Sequence, residues 1–157
     1  MPVFYIDGQS QGNEQNSLPR KARIAIAYAE SSDTIDPGKF RIYWQPIGDR
    51  TNNEAEYYAL LKALALISDR WAGKTTGKVP SGVGGILIRS DSKLVVNQVS
   101  GEWRVQDSKL IELSDQARDS IKKVGSIKLE WVPREENYAG LWLEGKLKPL
   151  SIERIRE

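Results

Sequence analysis

Apolar residues alternate with polar ones at the start of the chain and change to a helical period near its middle. "PVFYID" and "ARIAIAYAE" read as β-strands, and "KFRIYWQPIG" continues the alternation after the turn signal Asp36-Pro37-Gly38. Three adjacent strands in an antiparallel meander are expected. From Glu54 the apolar positions Ala55, Tyr58, Ala59, Leu61, Ala63, Leu66 and Ile67 recur at helical spacing, a helix of about four turns. Residues 71–85, "WAGKTTGKVPSGVGG", have no period and predict a loop. It is either a substrate contact or a mobile insertion, and the second is the simpler expectation. "GGILIRSD" then predicts a buried strand, "SKLVVNQVSG" a short helix, "SKLIELSDQARDSIKKV" a longer one and "SIKLEWVP" a last strand. "REENYAGLWLE" follows as a loop running into a short helix. The order β-β-β-α-β-α-α-β-α predicts one mixed α/β domain over residues 1–157. Residues 146–157 form a C-terminal extension in which Ile152 and Ile155 stand at helical spacing, to pack on the domain or serve a partner.

Composition narrows the chemistry. The chain has 157 residues, 39% hydrophobic and 28% charged, and no apolar run reaches the roughly 18–20 residues of a membrane span. The start "MPVFYIDGQS" lacks the features of a secretory signal, so a cytoplasmic location is expected. No histidine and no cysteine are present, which removes the usual general base, thiol catalysis and zinc-thiolate sites. Chemistry must then run on carboxylates, amines, hydroxyls or a metal held by oxygen. A net charge of +2 is too small to argue for a polyanionic partner by itself.

Three acidic stretches stand out, and each has an ordinary explanation. Asp7-Gly8 in "YIDGQS" is a turn signal; Asn53 and Glu56 in "TNNEAEYYAL" make a capping box; Asp91 in "IRSDSKLVV" makes an N-cap. Taken together they suggest more. Asp7 and Asp91 each close a strand, where α/β sheets collect ligands, and the first turn of the intervening helix would bring Glu56 beside them. Such a cluster repels itself unless a hard divalent cation joins it, which points to Mg²⁺ or Mn²⁺.

These stretches resemble ribonuclease H of type 1 along almost the whole chain. The resemblance rests on "YIDGQS", on the Thr-Asn-Asn-x-x-Glu start of "TNNEAEYYAL", on "RSDSKLVVNQVSG", on "VQDSKL" and on "WVPREEN", in that order. It implies a ribonuclease H-like fold, a five-stranded mixed sheet of order 3-2-1-4-5 with helices on both faces. It also implies endonucleolytic hydrolysis of the RNA strand of an RNA/DNA hybrid with two Mg²⁺ ions. Carried over, Asp7, Glu56 and Asp91 are metal ligands, and Glu56 would also accept a bond from a ribose 2′-hydroxyl. Gly8, Asn52 and Asn53 would contact the hybrid, and Thr51 would help hold a DNA-strand phosphate. Trp103, Arg104 and Lys109 would add stacking and phosphate contacts, unless Trp103 is simply core. The basic protrusion of some family members has no room here, and a monomer is expected.

One departure matters. Family members usually have Ala-Asp soon after "PREEN", and that Asp completes the metal site; here Ala139 is followed by Gly140. The histidine of many relatives is also missing. Three explanations compete: a catalytically weakened nucleic-acid-binding module, a three-acid site completed by Asn137 or water, or a substitute carboxylate. Glu144, one turn after Gly140, leans in the right direction for the last, whereas Glu136 leans away.

Overall fold

The computed structural model describes residues 1–12, 19–71 and 85–156. The strands are β1 (Val3–Gln11), β2 (Lys21–Ala29), β3 (Arg41–Gly48), β4 (Ile86–Ser90), β5 (Ile127–Trp131) and β6 (Ser151–Arg154). The helices are α1 (Asn52–Trp71), α2 (Lys93–Ser100), α3 (Ser108–Val124) and α4 (Tyr138–Leu143). Most of the expected loop at 71–85 lies outside the described residues. Among the described residues no helix is long and apolar enough to cross a membrane.

The six strands of the described residues form one sheet in the order β5-β4-β1-β2-β3-β6. The first three make the antiparallel meander, while β4 lies parallel to β1 and β5 parallel to β4. The order 3-2-1-4-5 is therefore present, with one strand more than expected. That strand is the tail: residues 151–154 pair parallel with β3, from Arg41↔Ser151 to Trp44↔Arg154. The spacing of Ile152 and Ile155 imitates a helix, but β3 offers an open edge of backbone donors and acceptors, and pairing satisfies them.

The two-residue period of β1 builds both faces. Phe4 and Ile6 enter the core under α1, α2 and α3 with Ile24, Ile26, Leu60, Ile88 and Leu113. Val3 and Tyr5 enter a second core with Ala25, Ala27, Phe40, Ala139 and Leu143, beneath α4. By the same alternation Asp7 points to the α4 side and Gly8 to the α1 side. The expected turn at Asp7-Gly8 is absent; β1 continues straight through to Gln11, pairing with β2 all the way.

Helix α1 begins one residue before the expected cap. Thr51 Oγ1 accepts from Glu54 N at 3.1 Å and Thr51 N donates to Glu54 Oε1 at 2.9 Å, a reciprocal capping box. Asn53 and Glu56 are thereby released from the capping role assigned to them. Ser92, not Asp91, caps α2, its hydroxyl accepting from Val95 N at 3.2 Å. Both carboxylates are left to serve something else.

Candidate metal centre

The register of the parallel strands builds the site. Ile6 pairs with Ser90 and Ser90 with Trp131, so β4 and β5 stop at one end of the sheet while β1 runs on beside β2 alone. Asp7 and Asp91 are the next residues along their strands, and they meet there. Glu56 arrives from the first turns of α1, with Gly8 N donating to its Oε1 at 2.6 Å. Oxygens of Asp7, Glu56 and Asp91 all lie within 4.8 Å of one another.

Gly8 permits this approach. A Cβ at residue 8 would stand 2.2 Å from the carbonyl carbon and oxygen of Ala55, so only glycine lets β1 lie against the start of α1.

The cluster is buried and short of donors. Asp7 Oδ2 accepts from Gln9 Nε2 at 3.1 Å, but Asp7 Oδ1 and Glu56 Oε2 are buried with no hydrogen-bond partner among the described residues. Burial pushes the Asp7 carboxyl up to about 6; the Glu56 bond and Arg134 work against this, and the charge of Asp91 adds to it. Burial first, then the charge of Asp7, drives Glu56 well above the usual carboxylate range. Two carboxylate oxygens without donors, beside a third acid, suit a hard divalent cation bound through oxygen. An open cleft of about 440 Å³ leads to the cluster, lined by Gly8, Gln9, Ser10, Asn52, Ser92 and Arg134 together with Glu56, Asp91 and Glu144.

Arg134 is the residue that sequence reasoning passed over. It lies in a short 3₁₀ turn (Arg134–Glu136) after β5, and its Nη1 stands 3.1 Å from Asp91 Oδ2 and 3.7 Å from Asp7 Oδ1. Nε and Nη2 both donate to Glu144 Oε1, at 3.0 and 2.6 Å. The signal was its place just past the end of β5, which is visible only once β5 is known to run parallel to β4.

Both candidates for the fourth ligand have other partners in the structure. Glu144 is turned to Arg134 and, at 3.1 Å, to Lys146 Nζ. Lys146 and Arg134 hold its carboxyl below the usual range, and it is not one of the three clustered acids. Asn137 is fully buried and committed elsewhere, donating to Ile6 O at 2.8 Å while its Oδ1 faces Gly140 N at 3.5 Å as the cap of α4. It ties α4 to the strand that carries Asp7. Asn137→Ala should orphan the Ile6 carbonyl and uncap α4 together. We expect it to lower the unfolding free energy by about 2–4 kcal/mol in urea denaturation.

The other expected contacts fall at different places. Asn52 lines the cleft and its Oδ1 accepts from Ser10 N at 2.8 Å; Asn53 is exposed beside it, and Thr51 is used as the cap. Trp103 and Arg104 are exposed in the segment between α2 and α3, Trp103 at 47%, and neither lines the cleft. The alternative that Trp103 is core is thereby ruled out. Lys109 is at the start of α3, 3.9 Å from Glu112.

Known proteins agree with this architecture. A family profile described as "Reverse transcriptase-like" matches residues 38–143. The bifunctional protein Rv2228c of Mycobacterium tuberculosis is 33% identical over 135 residues, 86% of this chain and 32% of that protein. Ribonuclease HI of Halobacterium salinarum is 31% identical over 133 residues, 85% of this chain and 57% of that protein. The chain thus spans only a third to somewhat over half of the length of these curated relatives. Among solved structures, the ribonuclease H1 of H. salinarum superposes with a TM-score of 0.68 at 27% identity, covering 93% of each chain. The N-terminal ribonuclease H domain of Rv2228c does so at 0.66 and 30%, covering 92% of this chain and 91% of that one. LC11-RNase H1, solved in complex with an RNA/DNA hybrid, gives 0.65 at 26%, covering 87% and 88%. The chain belongs to the ribonuclease HI family.

Proposed function

We propose that this chain hydrolyses the RNA strand of RNA/DNA hybrids, using Mg²⁺ or Mn²⁺ held by Asp7, Glu56 and Asp91. The observation that carries the reading is the convergence of these three acids at the sheet end, with two buried oxygens that have no donor. The family's two-ion arrangement is the starting expectation for such a site. A bound divalent ion supplies a Lewis acid that makes water a nucleophile at neutral pH and neutralises charge on the phosphate. The chain's own residues do the positioning. Gly8 N fixes Glu56 Oε1, and Gln9 holds one oxygen of Asp7. With its Oδ1 bound to Ser10 N, Asn52 keeps its amide N–H groups for a sugar or base edge of the hybrid, and Asn53 adds an exposed amide next to it. Trp103 and Arg104 offer stacking and phosphate contact where the hybrid runs beyond the cleft. The same reading takes residues 1–157 as one ribonuclease H unit.

A second reading has its own support. The absent acid at Gly140 and the guanidinium pressed on Asp7 and Asp91 favour a module that binds hybrid with little turnover. End-labelled hybrid, duplex DNA and duplex RNA separate the two. A nuclease cuts the RNA strand of the hybrid in Mn²⁺, stops when chelator is added and leaves both duplexes whole. A binding module leaves all three intact, with hybrid affinity unchanged by chelator; that result would overturn the nuclease reading.

A further inference from the structure

The position that lacks its acid faces Asp7 directly. A Cβ built on Gly140 would stand 3.1 Å from Asp7 Oδ2, 3.4 Å from Asp7 Cγ and 3.8 Å from Arg134 Nη1. A side chain carried there would start beside both Asp7 and Arg134. Glycine places no side chain there, and after Asp7 itself the next charged group near that point is the Arg134 guanidinium.

That guanidinium is held firmly. Two of its nitrogens go to one oxygen of Glu144, whose other oxygen is held by Lys146. The third, Nη1, is thereby aimed at Asp91 and Asp7. An arginine keeps its charge at any working pH, and a planar fork anchored on one side presents the remaining N–H groups in a fixed direction. Glu144 is then an anchor for Arg134 rather than a ligand.

Charge counting gives the consequence. Three carboxylates carry −3; one divalent ion at +2 and Arg134 at +1 bring the sum to zero. A second divalent ion on the Gly140 side would find Asp7 already shared, no acid from residue 140 and a fixed like charge alongside. The buried oxygens without donors, Asp7 Oδ1 and Glu56 Oε2, belong to the three-acid cluster itself.

We propose that this site holds one divalent ion, on Asp7, Glu56 and Asp91, and that Arg134, anchored by Glu144, supplies the positive charge that a second ion provides in relatives carrying the fourth acid. The inference rests on the metal-dependent reading above.

Counting ions on the protein–hybrid complex tests it without any turnover. The complex is made with a hybrid whose RNA strand carries 2′-fluoro sugars, so that it is not cut. Bound Mn²⁺ is counted by calorimetry and by electron paramagnetic resonance against hybrid alone. The expected result is one Mn²⁺ per chain with the spectrum of an isolated ion. The double variant Gly140→Asp/Arg134→Ala, checked for folding by circular dichroism, should take two ions with a spin-coupled spectrum. Two ions on the unaltered chain would overturn the inference, whether or not the variant folds, and so would a folded double variant that still binds one. No ion on the unaltered chain would instead sink the metal-dependent reading itself.

Discussion

Replacing Asp7 by Asn should abolish cleavage of the hybrid and, in the absence of metal, make the protein more stable. The activity loss follows from the position of Asp7, the acid that touches both the Glu56 side and the Gly140 side of the cluster; roughly a thousandfold or more is expected. The stability gain follows from burial. The Asp7 carboxyl sits at about 6 in the folded protein against an ordinary 3.8, chiefly because burial disfavours its charge. A raised pKa means the folded state holds the proton more tightly than the unfolded chain. That contribution to stability is complete below about pH 4 and is lost as the pH rises through 6. A shift of this size corresponds to about 3 kcal/mol, felt in full at pH 8. Asparagine keeps the shape and the contact with Gln9 while removing the charge. Melting in chelator should therefore show the parent protein losing several degrees between pH 4.5 and 8, with the variant losing less, what it still loses coming from the buried Glu56, and melting higher at pH 8. Saturating Mn²⁺ should restore the parent and leave the variant unmoved, since only the parent has the full ligand set. A variant that melts lower at pH 8 in chelator would show that the Asp7 charge is not a burden in the folded protein.

Much of this could be read in the sequence, for reasons that differ from segment to segment. The strands of the meander and α1 were visible because their hydrophobic periods match the faces they bury, as with Phe4 and Ile6 on one side and Val3 and Tyr5 on the other. Asp7 and Asp91 were legible as a pair because each was read as closing a strand; Asp91 does follow the end of β4, whereas β1 runs on through Asp7 to Gln11, and it is the parallel register of Ile6 with Ser90 that sets the two side by side. The helix caps were placed one or two residues away because Thr51, Asn53, Asp91 and Ser92 are all competent caps. Tertiary contacts decide among them, including the bond from Ser10 N to Asn52. The tail was read as something other than a strand because four exposed residues with two charges carry little β signal of their own; pairing with β3 makes β6. Glu144 was read as leaning toward the Gly140 position, but a sequence does not say which cations its carboxylate meets, here Arg134 and Lys146. Arg134 could be found only from the geometry of the strand ends.

Gly8 shows the same limit in a single residue, and it carries the other large expected effect. Asp-Gly is a turn signal, yet the strand runs on through it, because what this glycine provides is closeness rather than a bend. Gly8→Ala would set a methyl group 2.2 Å from the carbonyl of Ala55 and 2.6 Å from the nitrogen of Glu56. These are backbone atoms at the start of a long helix, so no side-chain rotation relieves the clash. Either β1 or the first turn of α1 must move. The movement would lengthen the 2.6 Å bond from Gly8 N to Glu56 Oε1 and loosen the capping box at Thr51 and Glu54, only a few residues away. We expect a loss of about 3 kcal/mol or more in denaturant unfolding, more than a helix or turn preference at one residue gives. Cleavage should fall with it even under conditions where the variant is fully folded, because Glu56 would no longer be held against Asp7. If Gly8 served only as a turn, with β1 and α1 free to sit further apart, alanine would cost about 1 kcal/mol and leave activity near that of the parent. Measuring unfolding and hybrid cleavage on the same preparation distinguishes a residue that shapes a bend from one that brings a strand and a helix close enough to assemble the acidic site.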